Sequence, residues 1–490
     1  MKKLLVASIV IVAFAAASAA IARKWTDRSG QYSVEAELIE YADGQATLKK
    51  EDGTVIKLPL SKLSFDDQKW LREELKRRRD AEQETETPVA ADAAASGEWP
   101  RWRGPHNDGI SREEGLLDSW PEEGPPIAWS VRGLGEGFSS VAISGDKLYT
   151  MGRKDGANSI VCLKLEDGSE LWRARVGGGD KPNCTPTVDA DANLVFGLTH
   201  AGDLLCANAT NGEEVWRKNY KNDFGGRMMS GWGYSESPLV DGDALIITPG
   251  GDKAVVAALN KKTGETLWAT AADGLGGSGY ASPIISNGGG AKQYLTLVGR
   301  GIIGVSAETG QLLWHYKRIA NGTANIPTPI VQGDFVFCST GYDDGGSALL
   351  KLERSGRTIN YREIYYHKSN ELQNHHGGMV LIGDYIYMGH GHNNGLPVCV
   401  EAASGKAAWG PVRGAGGNSA ALAAADGHLY FRYENGIMAL VEANPKEYKL
   451  KGKFRIKSVN GQSWPHPVIA GKKLYLRDQD ELHCYDIAAK

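Results

Sequence analysis

The feature that most constrains this chain is a short stretch that recurs. Ala258 to Trp268 reads Ala-Leu-Asn-Lys-Lys-Thr-Gly-Glu-Thr-Leu-Trp, and variants of it end at Trp172, Trp216, Trp314 and Trp409. Each copy reads as a short strand, a tight turn closed by Gly, and a second strand carrying the Trp four residues after that Gly. The Gly suits a turn position with positive φ, which other residues adopt only at a cost. The Trp is a large flat side chain placed to cover a neighbouring copy.

A second pattern lies upstream of each copy: a small residue or Pro, an apolar pair, a Gly/Asp turn and another apolar strand. It begins at Ser140, Pro186, Pro238, Pro283, Pro329, Gly378, Ala420 and Pro467, so eight copies recur about every 47 residues, the length of a four-stranded propeller blade. The chain is therefore expected to be all-β, an eight-bladed β-propeller. Two blades lack the Trp: Tyr361 stands near its place in the fifth, and the seventh keeps only Tyr448 and Phe454. The last blade stops at Ile487, before an outermost strand, while a spare strand, Pro126 to Val131 with Trp129, precedes the first. That strand can complete the last blade and leave no unpaired sheet edge. Trp129, Trp172, Trp216, Trp268, Trp314 and Trp409 are then the docking residues, and Trp268→Ala is expected to cost about 3–5 kcal/mol, as for large buried aromatics.

The Ala-x-Asn/Asp-x-x-Thr-Gly-x-x-x-Trp pattern resembles the tryptophan-docking repeat of pyrroloquinoline-quinone (PQQ)-like propellers, over roughly residues 99–490. That superfamily includes quinoprotein alcohol dehydrogenases and the BamB-like scaffold of outer-membrane protein assembly. The resemblance implies the fold; a fold hosts many functions, so it does not fix an activity.

Residues 1–22 hold two lysines, an uncharged apolar run, and small residues at Ala17-Ser-Ala19 and Ala20-Ile-Ala22. This is the pattern of a secretory signal peptide; the rival is an uncleaved anchor, since Leu4 to Ala22 is just long enough to span a bilayer. No Cys precedes Cys162, which argues against lipid attachment, and no later segment is apolar enough to cross a membrane. The chain is expected to be exported to a periplasmic, cell-envelope or extracellular location.

Residues 24–79 read as a separate small module. Alternation over Val34-Glu-Ala-Glu-Leu38 and the stretches Gly44 to Leu48 and Val55 to Leu60, divided by Asp-Gly turns, predict short strands. Ser64 then caps a helix, with Asp66 and Asp67 at its positive end. Trp25-Thr-Asp-Arg-Ser-Gly30, the alternation at Val34 to Leu38, and Leu60-Ser-Lys-Leu63 followed by Asp67-Gln68 resemble an SLA homology domain of the first type (SHD1), an SH3-like barrel. The eukaryotic family includes adaptors for short peptide signals, which implies peptide or protein binding; a structural spacer is the alternative. Residues 80–98, rich in Ala, Glu and Thr, read as a linker too polar to bury a core.

The net charge of −4 gives no reason to expect nucleic acid or an anionic membrane as partner. Six cysteines in an exported chain suggest disulfides. Yet Cys162, Cys206, Cys399 and Cys484 occupy the small-residue place of the repeat, one per blade, and read as buried and unpaired; Cys184 and Cys338 have no assigned place. Asp189-Ala-Asp-Ala-Asn193 lacks the Gly and Glu of a calcium loop and falls at a hairpin turn. Gly133-Leu-Gly-Glu-Gly137 lacks the strand–helix context of a dinucleotide site.

The sharpest local signal is histidine. His375, His376, His390 and His392 are four of the eleven histidines, within 18 residues, flanking the sixth blade's first hairpin. In a four-stranded meander, the connection into the first strand and the loop between the second and third lie on one face, so the two pairs should meet at the channel rim. They could ligate a metal, hold a ligand by hydrogen bonds, or merely cap turns. Asn393 and Asn394 accompany them, and Trp232, Trp464, His466, Arg477 and Asp478 fall on the same face. Loops on a rigid scaffold concentrate function. The first reading is a non-catalytic binding or scaffold protein whose channel face and small module take a protein, peptide or small ligand. The alternative is a PQQ-dependent dehydrogenase, in which the quinone, with calcium, is the electron sink and an Asp the base. Against it stand the missing vicinal cysteines and the lack of any motif fixing a calcium set. A hydrolase or lyase has no recognisable signature.

Overall fold

The structure is a computed structural model. It describes residues 23–28, 30–42, 45–50, 52–59, 62–64, 66–68, 70–71, 74, 97–356, 358–459 and 461–489. The expected signal peptide and most of the expected linker lie outside these residues. The chain divides into two compact units, Met1–Pro88 and Val89–Lys490.

In the first unit, strands Arg23–Thr26, Ser33–Ala42, Gln45–Lys49 and Val55–Pro59 form one antiparallel sheet in chain order, and Asp27 bridges to Leu63. Its core is Trp25, Ala36, Leu38, Ala46, Leu48, Leu63 and Leu71. Alternation in the second strand places Ala36 and Leu38 inward. Trp25 donates from its indole to the Ala36 carbonyl at 3.0 Å and meets Trp70 edge-on at 5.4 Å. The cap at Ser64 forms, its hydroxyl accepting from the Asp67 amide at 3.2 Å. Asp67 is itself buried, accepting from the Thr26 amide at 2.7 Å and Arg23 at 2.6 Å, so it ties the helix to the first strand.

The second unit is a β-propeller: eight consecutive antiparallel sheets of the meander type, one of them with an added short strand. Blade 1 runs over residues 142–177, blade 2 over 187–219, blade 3 over 239–269, blade 4 over 284–316, blade 5 over 330–368, blade 6 over 379–409 and blade 7 over 420–455. Blade 8 is residues 468–486 with strand Ile127–Arg132 as its outer member, Cys484 facing Trp129. A strand that precedes blade 1 in the chain thus closes the ring. Two arginines brace neighbouring blades. Arg477 of blade 8 donates to Thr150 and to the Met151 carbonyl of blade 1, and to the Gly135 carbonyl at 2.8 Å. Arg432 of blade 7 donates to the Pro465 carbonyl at 2.8 Å and Ser463 at 2.5 Å, on the approach to blade 8.

The docking rule is visible at the turn glycines. Gly264 has φ 72°, and a Cβ there would lie 2.8 Å from the Trp216 ring of the preceding blade, so this position needs Gly twice over, for its backbone and for the ring lying on it. Trp129, Trp172 and Trp268 meet Gly168, Gly212 and Gly310 in the same way. The indole of Trp216 also donates to the Lys261 carbonyl at 3.0 Å and that of Trp409 to the Asn444 carbonyl at 2.7 Å. Trp268 is less buried than Trp216 at 8% exposure and Trp314 at 5%, so its removal should cost less than theirs.

The two blades without a Trp solve the problem differently. In blade 5 the bulge that precedes each docking residue falls between Leu349 and Leu350, opposite Tyr365 and Glu363. Tyr365, not Tyr361, therefore takes the docking place; its hydroxyl donates to the Ala402 carbonyl at 2.8 Å and its ring lies against Gly405. The outer hairpin of this blade is longer, with strands of 10 and 11 residues, which shifts the sequence register by four. Tyr361 instead meets Trp314 edge-on at 5.9 Å. In blade 7 the docking place is Gly452. Trp120, from the segment before the ring, packs there against Tyr430 and Phe454 at 5.6 and 5.3 Å, while Phe454 lies on Gly124.

The six cysteines are all buried and free. Asp189 forms an ion pair with Lys261 of blade 3, and the Ala192 amide donates to it at 3.2 Å, so the Asp189–Asn193 stretch is a hairpin turn whose leading carboxylate is already paired. Among the described residues no helix is long and apolar enough to cross a membrane.

Candidate functional site: a stoppered channel

Residues 99–111 run along the inner strands of the ring. Trp99 pairs with Ile143 of blade 1, the Pro100 carbonyl accepts from Val188 of blade 2 at 2.8 Å, and Arg101 donates to the Val240 carbonyl of blade 3 at 3.2 Å. Trp102 donates to Thr328, just before blade 5, at 3.1 Å. Arg103 donates to the Met379 carbonyl of blade 6, and Ile110–Ser111 adds a parallel strand to blade 7. A segment touching the inner strands of so many blades occupies the channel. It turns what would be a pore into a cup with Trp102 and Arg103 in its floor.

The cup has a volume of about 740 Å³, within the range of small-molecule sites. One wall is aromatic: Phe138 and Trp464 lie 4.5 Å apart with their planes tilted by 30°. Trp232, 55% exposed, and Tyr280 belong to blades three places round the ring. Trp232 donates its backbone amide to the Tyr280 hydroxyl at 3.4 Å. Charged groups at the lining are Asp180, Lys181, Glu434 and Arg103, two of each sign.

The histidines fill the side between blades 5, 6 and 8. His375 stacks on His376 with ring centres 3.9 Å apart and planes 25° apart. His392 lies 4.4 Å from His375, Trp464 5.0 Å from His376, and Tyr342 4.4 Å from His392. His466 packs on Trp102 at 4.5 Å and meets the His376 carbonyl through Nε2 at 3.3 Å. His375 Nδ1 shares a hydrogen bond with Ser419 at 2.9 Å. Burial, followed by the neighbouring histidines, pushes His375 down to about 2; burial and then His466 push His376 down to about 3; burial and then Arg103 push His466 down to about 3. These are neutral rings at any physiological pH.

Of the residues expected on this face, His375, His376, His392, Asn393, Trp464, His466 and Trp232 line the cup. Four do not. His390 turns inward, where its Nδ1 accepts from the Gln373 amide at 3.2 Å, because it is the last residue of a buried strand. Asn394 is exposed at the loop tip, away from the cavity. Arg477 and Asp478, 1% and 2% exposed, belong to the seam between blades. There Arg477 is held by carbonyls of the next blade, and Asp478 lies 3.4 Å from Arg432. Burial lowers Arg477 to about 9. The four-histidine metal set is not assembled: among the described residues no three His, Cys, Asp or Glu side chains are placed to hold an ion, since the rings stack face to face and His390 faces elsewhere. Trp102, Arg103, Phe138, Tyr280 and Tyr342 are cup residues that the repeat pattern did not indicate. The signal that could have found Trp102 is an aromatic pair, Trp99 and Trp102, lying outside every blade yet in a stretch rich in Gly and Pro.

The fold and this cup define a tryptophan-docking β-propeller with a closed channel. The chain belongs to the PQQ-like repeat family described as outer membrane protein assembly factor BamB, whose model matches residues 156–411; the SLA1 homology domain 1 matches residues 15–79. A tetrathionate hydrolase of Acidithiobacillus ferrooxidans is 27% identical over 42% of this chain and 40% of its own length. The BamB of Salmonella typhimurium is 30% identical over 31% of this chain and 38% of its own. The chain thus spans about two fifths of the curated relatives it matches. Among solved structures, the BamB of Moraxella catarrhalis has a TM-score of 0.53 at 14% identity, covering 74% of this chain and 97% of that one. The quinohemoprotein alcohol dehydrogenase of Comamonas testosteroni has 0.57 at 12%, covering 82% of each. At these identities the likeness is one of fold.

Proposed function

We propose that this chain is an exported, non-catalytic binding protein whose propeller takes a guest in the stoppered cup, while the SHD1 module binds a protein or peptide. The observation that carries the reading is the cup itself: a cavity closed below by residues 99–111, lined by aromatic rings, and containing imidazoles stacked on one another, of which His375, His376 and His466 are held neutral by burial. Export rests on the pattern of residues 1–22 and on relatives named for outer-membrane assembly.

A second reading, a PQQ-dependent dehydrogenase, draws on the shared fold of two quinohemoprotein alcohol dehydrogenases. A polyanionic quinone with calcium calls for grouped carboxylates around the ion and free cations around the quinone acids. Here Asp180 lies on the connection from blade 1 to blade 2 and Glu434 in blade 7, Lys181 already lies 3.2 Å from Glu136, and Arg103 is held by backbone carbonyls, at 3.2 Å from Asn107 and 2.8 Å from Asp108. This donor set does not fit the group, which favours the binding reading. The test pairs two measurements on the purified full chain: tryptophan emission titrated with a panel of peptides and small molecules, and dye reduction with added PQQ, calcium and a series of alcohols. Emission changes lost in Trp464→Ala support binding. Dye turnover, or a panel that leaves the emission of the cup untouched, overturns it.

A further inference from the structure

We propose that the guest of the cup is a neutral carbohydrate, the free end of a short oligosaccharide. The proposal rests on the cup being the binding site and adds what it selects. A sugar ring has an apolar face of C–H groups and an edge of hydroxyls. A site for it needs aromatic planes, in-plane polar groups with no net charge, and room beyond one ring.

Each of these is present. Phe138 and Trp464, 4.5 Å apart and 30° from parallel, lie against one another in the lining, and Trp232, mostly uncovered, lines the cavity on the far side. An exposed aromatic plane such as that of Trp232 is what an apolar sugar face stacks on. Between these rings the lining is amide, hydroxyl and neutral imidazole. Asn183 is fixed by donating to Ser235 at 2.8 Å, and Asn393 by accepting from Ser419 at 3.4 Å. His375 Nε2 and Trp464 Nε1 are buried ring nitrogens without a partner among the described residues. Buried polar groups are normally satisfied, so these mark unmet hydrogen-bonding capacity in the wall behind the cup. The charges of the lining balance in sign, and the buried His375, His376 and His466 add none. An ionic guest would find no compensating field, while a neutral one incurs no penalty. A volume of about 740 Å³ accommodates more than a monosaccharide but closes on the plug, so the chain end, not an internal stretch, is what enters.

The test is calorimetry of the full chain with neutral oligosaccharides of glucose in α- and β-linkage, of xylose and of N-acetylglucosamine. Oligogalacturonate serves as the charged comparator and aromatic- and proline-rich peptides as the rival class. The expected result is binding of at least one neutral series with an affinity indifferent to salt, since no charge pairs form. Trp232→Ala should weaken it at least about tenfold with an unchanged unfolding midpoint, because that side chain is already more than half exposed; Trp464→Ala should weaken it too. Leu267→Ala, exposed on an outer strand, should leave it unchanged. Binding of only the charged oligomer, no binding of any neutral series, or neutral binding indifferent to both Trp variants overturns the carbohydrate assignment. Peptide binding that is lost in those variants, with the sugars silent, overturns it while leaving the cup as the binding site. Silence of every probe removes both.

Discussion

Trp120→Ala should be among the most damaging single changes in the propeller, although Trp120 lies outside every blade. Blade 7 has Gly452 where the other blades carry an aromatic residue, and a Cβ at Gly452 would fall 2.7 Å from the Trp120 Cβ. Trp120 is 7% exposed, its amide donates to the Lys451 carbonyl at 3.3 Å, and its ring touches Tyr430 and Phe454. Truncating a buried Trp leaves a cavity and costs about 3–5 kcal/mol. Two ring pairs are lost here, each of about 0.5–1.5 kcal/mol beyond area, and no backbone nearby is free to collapse into the space, so the upper half of that range is expected. Trp268→Ala is the internal reference. Trp268 is half-buried, with one ring neighbour, Tyr294 at 6.1 Å, and one hydrogen bond to Ala307 at 3.2 Å; about 2 kcal/mol is expected. Guanidinium unfolding of the full chain, read by near-ultraviolet circular dichroism, gives both midpoints at constant slope. If Trp120→Ala unfolds within about 0.5 kcal/mol of the parent, or if Trp268→Ala proves the costlier, the idea that the segment before the ring supplies a missing blade residue is wrong.

Arg477→Met should cost at least about 3 kcal/mol, because the Thr150, Met151 and Gly135 acceptors at the ring seam are left buried and unmet; an unchanged melting temperature would refute the brace. His375, His376 and His466 are neutral in the fold down to about 2–3 but titrate near 6.5 when unfolded. The unfolded chain therefore binds more protons between these limits. Their contribution is complete above about pH 6.5 and is lost as pH falls towards about 3, by up to about 1.4 kcal/mol per pH unit for each ring. The double variant His375→Gln with His376→Gln should flatten the acid limb of a stability–pH curve, and an identical limb would count against the assignment. Glu236 runs the other way: burial raises it to about 7 from an unfolded value near 4.3, so stability falls as pH rises through that window, and Glu236→Gln should remove the fall. Its hydrogen bonds to Tyr220 and Thr248, both 2.7 Å, can be kept by the amide oxygen.

The fold was legible because a repeat announces the same local solution many times. Gly264 and Trp268 alone suggest a hairpin; the same pair at Gly212 and Trp216, and at Gly310 and Trp314, fixes spacing, strand count and the direction of docking together. Where the repeat broke, reading failed in a definite way. A longer hairpin in blade 5 moved the bulge, so Tyr361 was credited with the place that Tyr365 holds. In blade 7 the aromatic group is supplied from more than three hundred residues away, which no local spacing encodes. The histidine pairs were legible as a cluster because meander topology returns those two loops to one face. That rule places Cα atoms, not side chains: His390, at a strand end, points into the core, and Arg477 reaches sideways to the next blade.

What could not be read from the repeat is the part that decides the chemistry of the channel. Residues 99–111 carry no repeat pattern, and although Trp99 and Trp102 set them apart from the polar stretch before them, only their contacts with blade after blade show that they are inside the ring. Their position changes what the histidines are. In an open, water-filled channel His376 and His466 would titrate near neutrality and could bind metal or shuttle protons. With Trp102 packed on His466 and Arg103 beneath, water is displaced, a second positive charge is disfavoured, and both rings stay neutral. The same segment that seals the channel therefore turns His376 and His466 from groups with the composition of a metal or catalytic site into neutral rings, and a site whose four charges balance in sign beside aromatic rings selects by shape and hydrogen bonding.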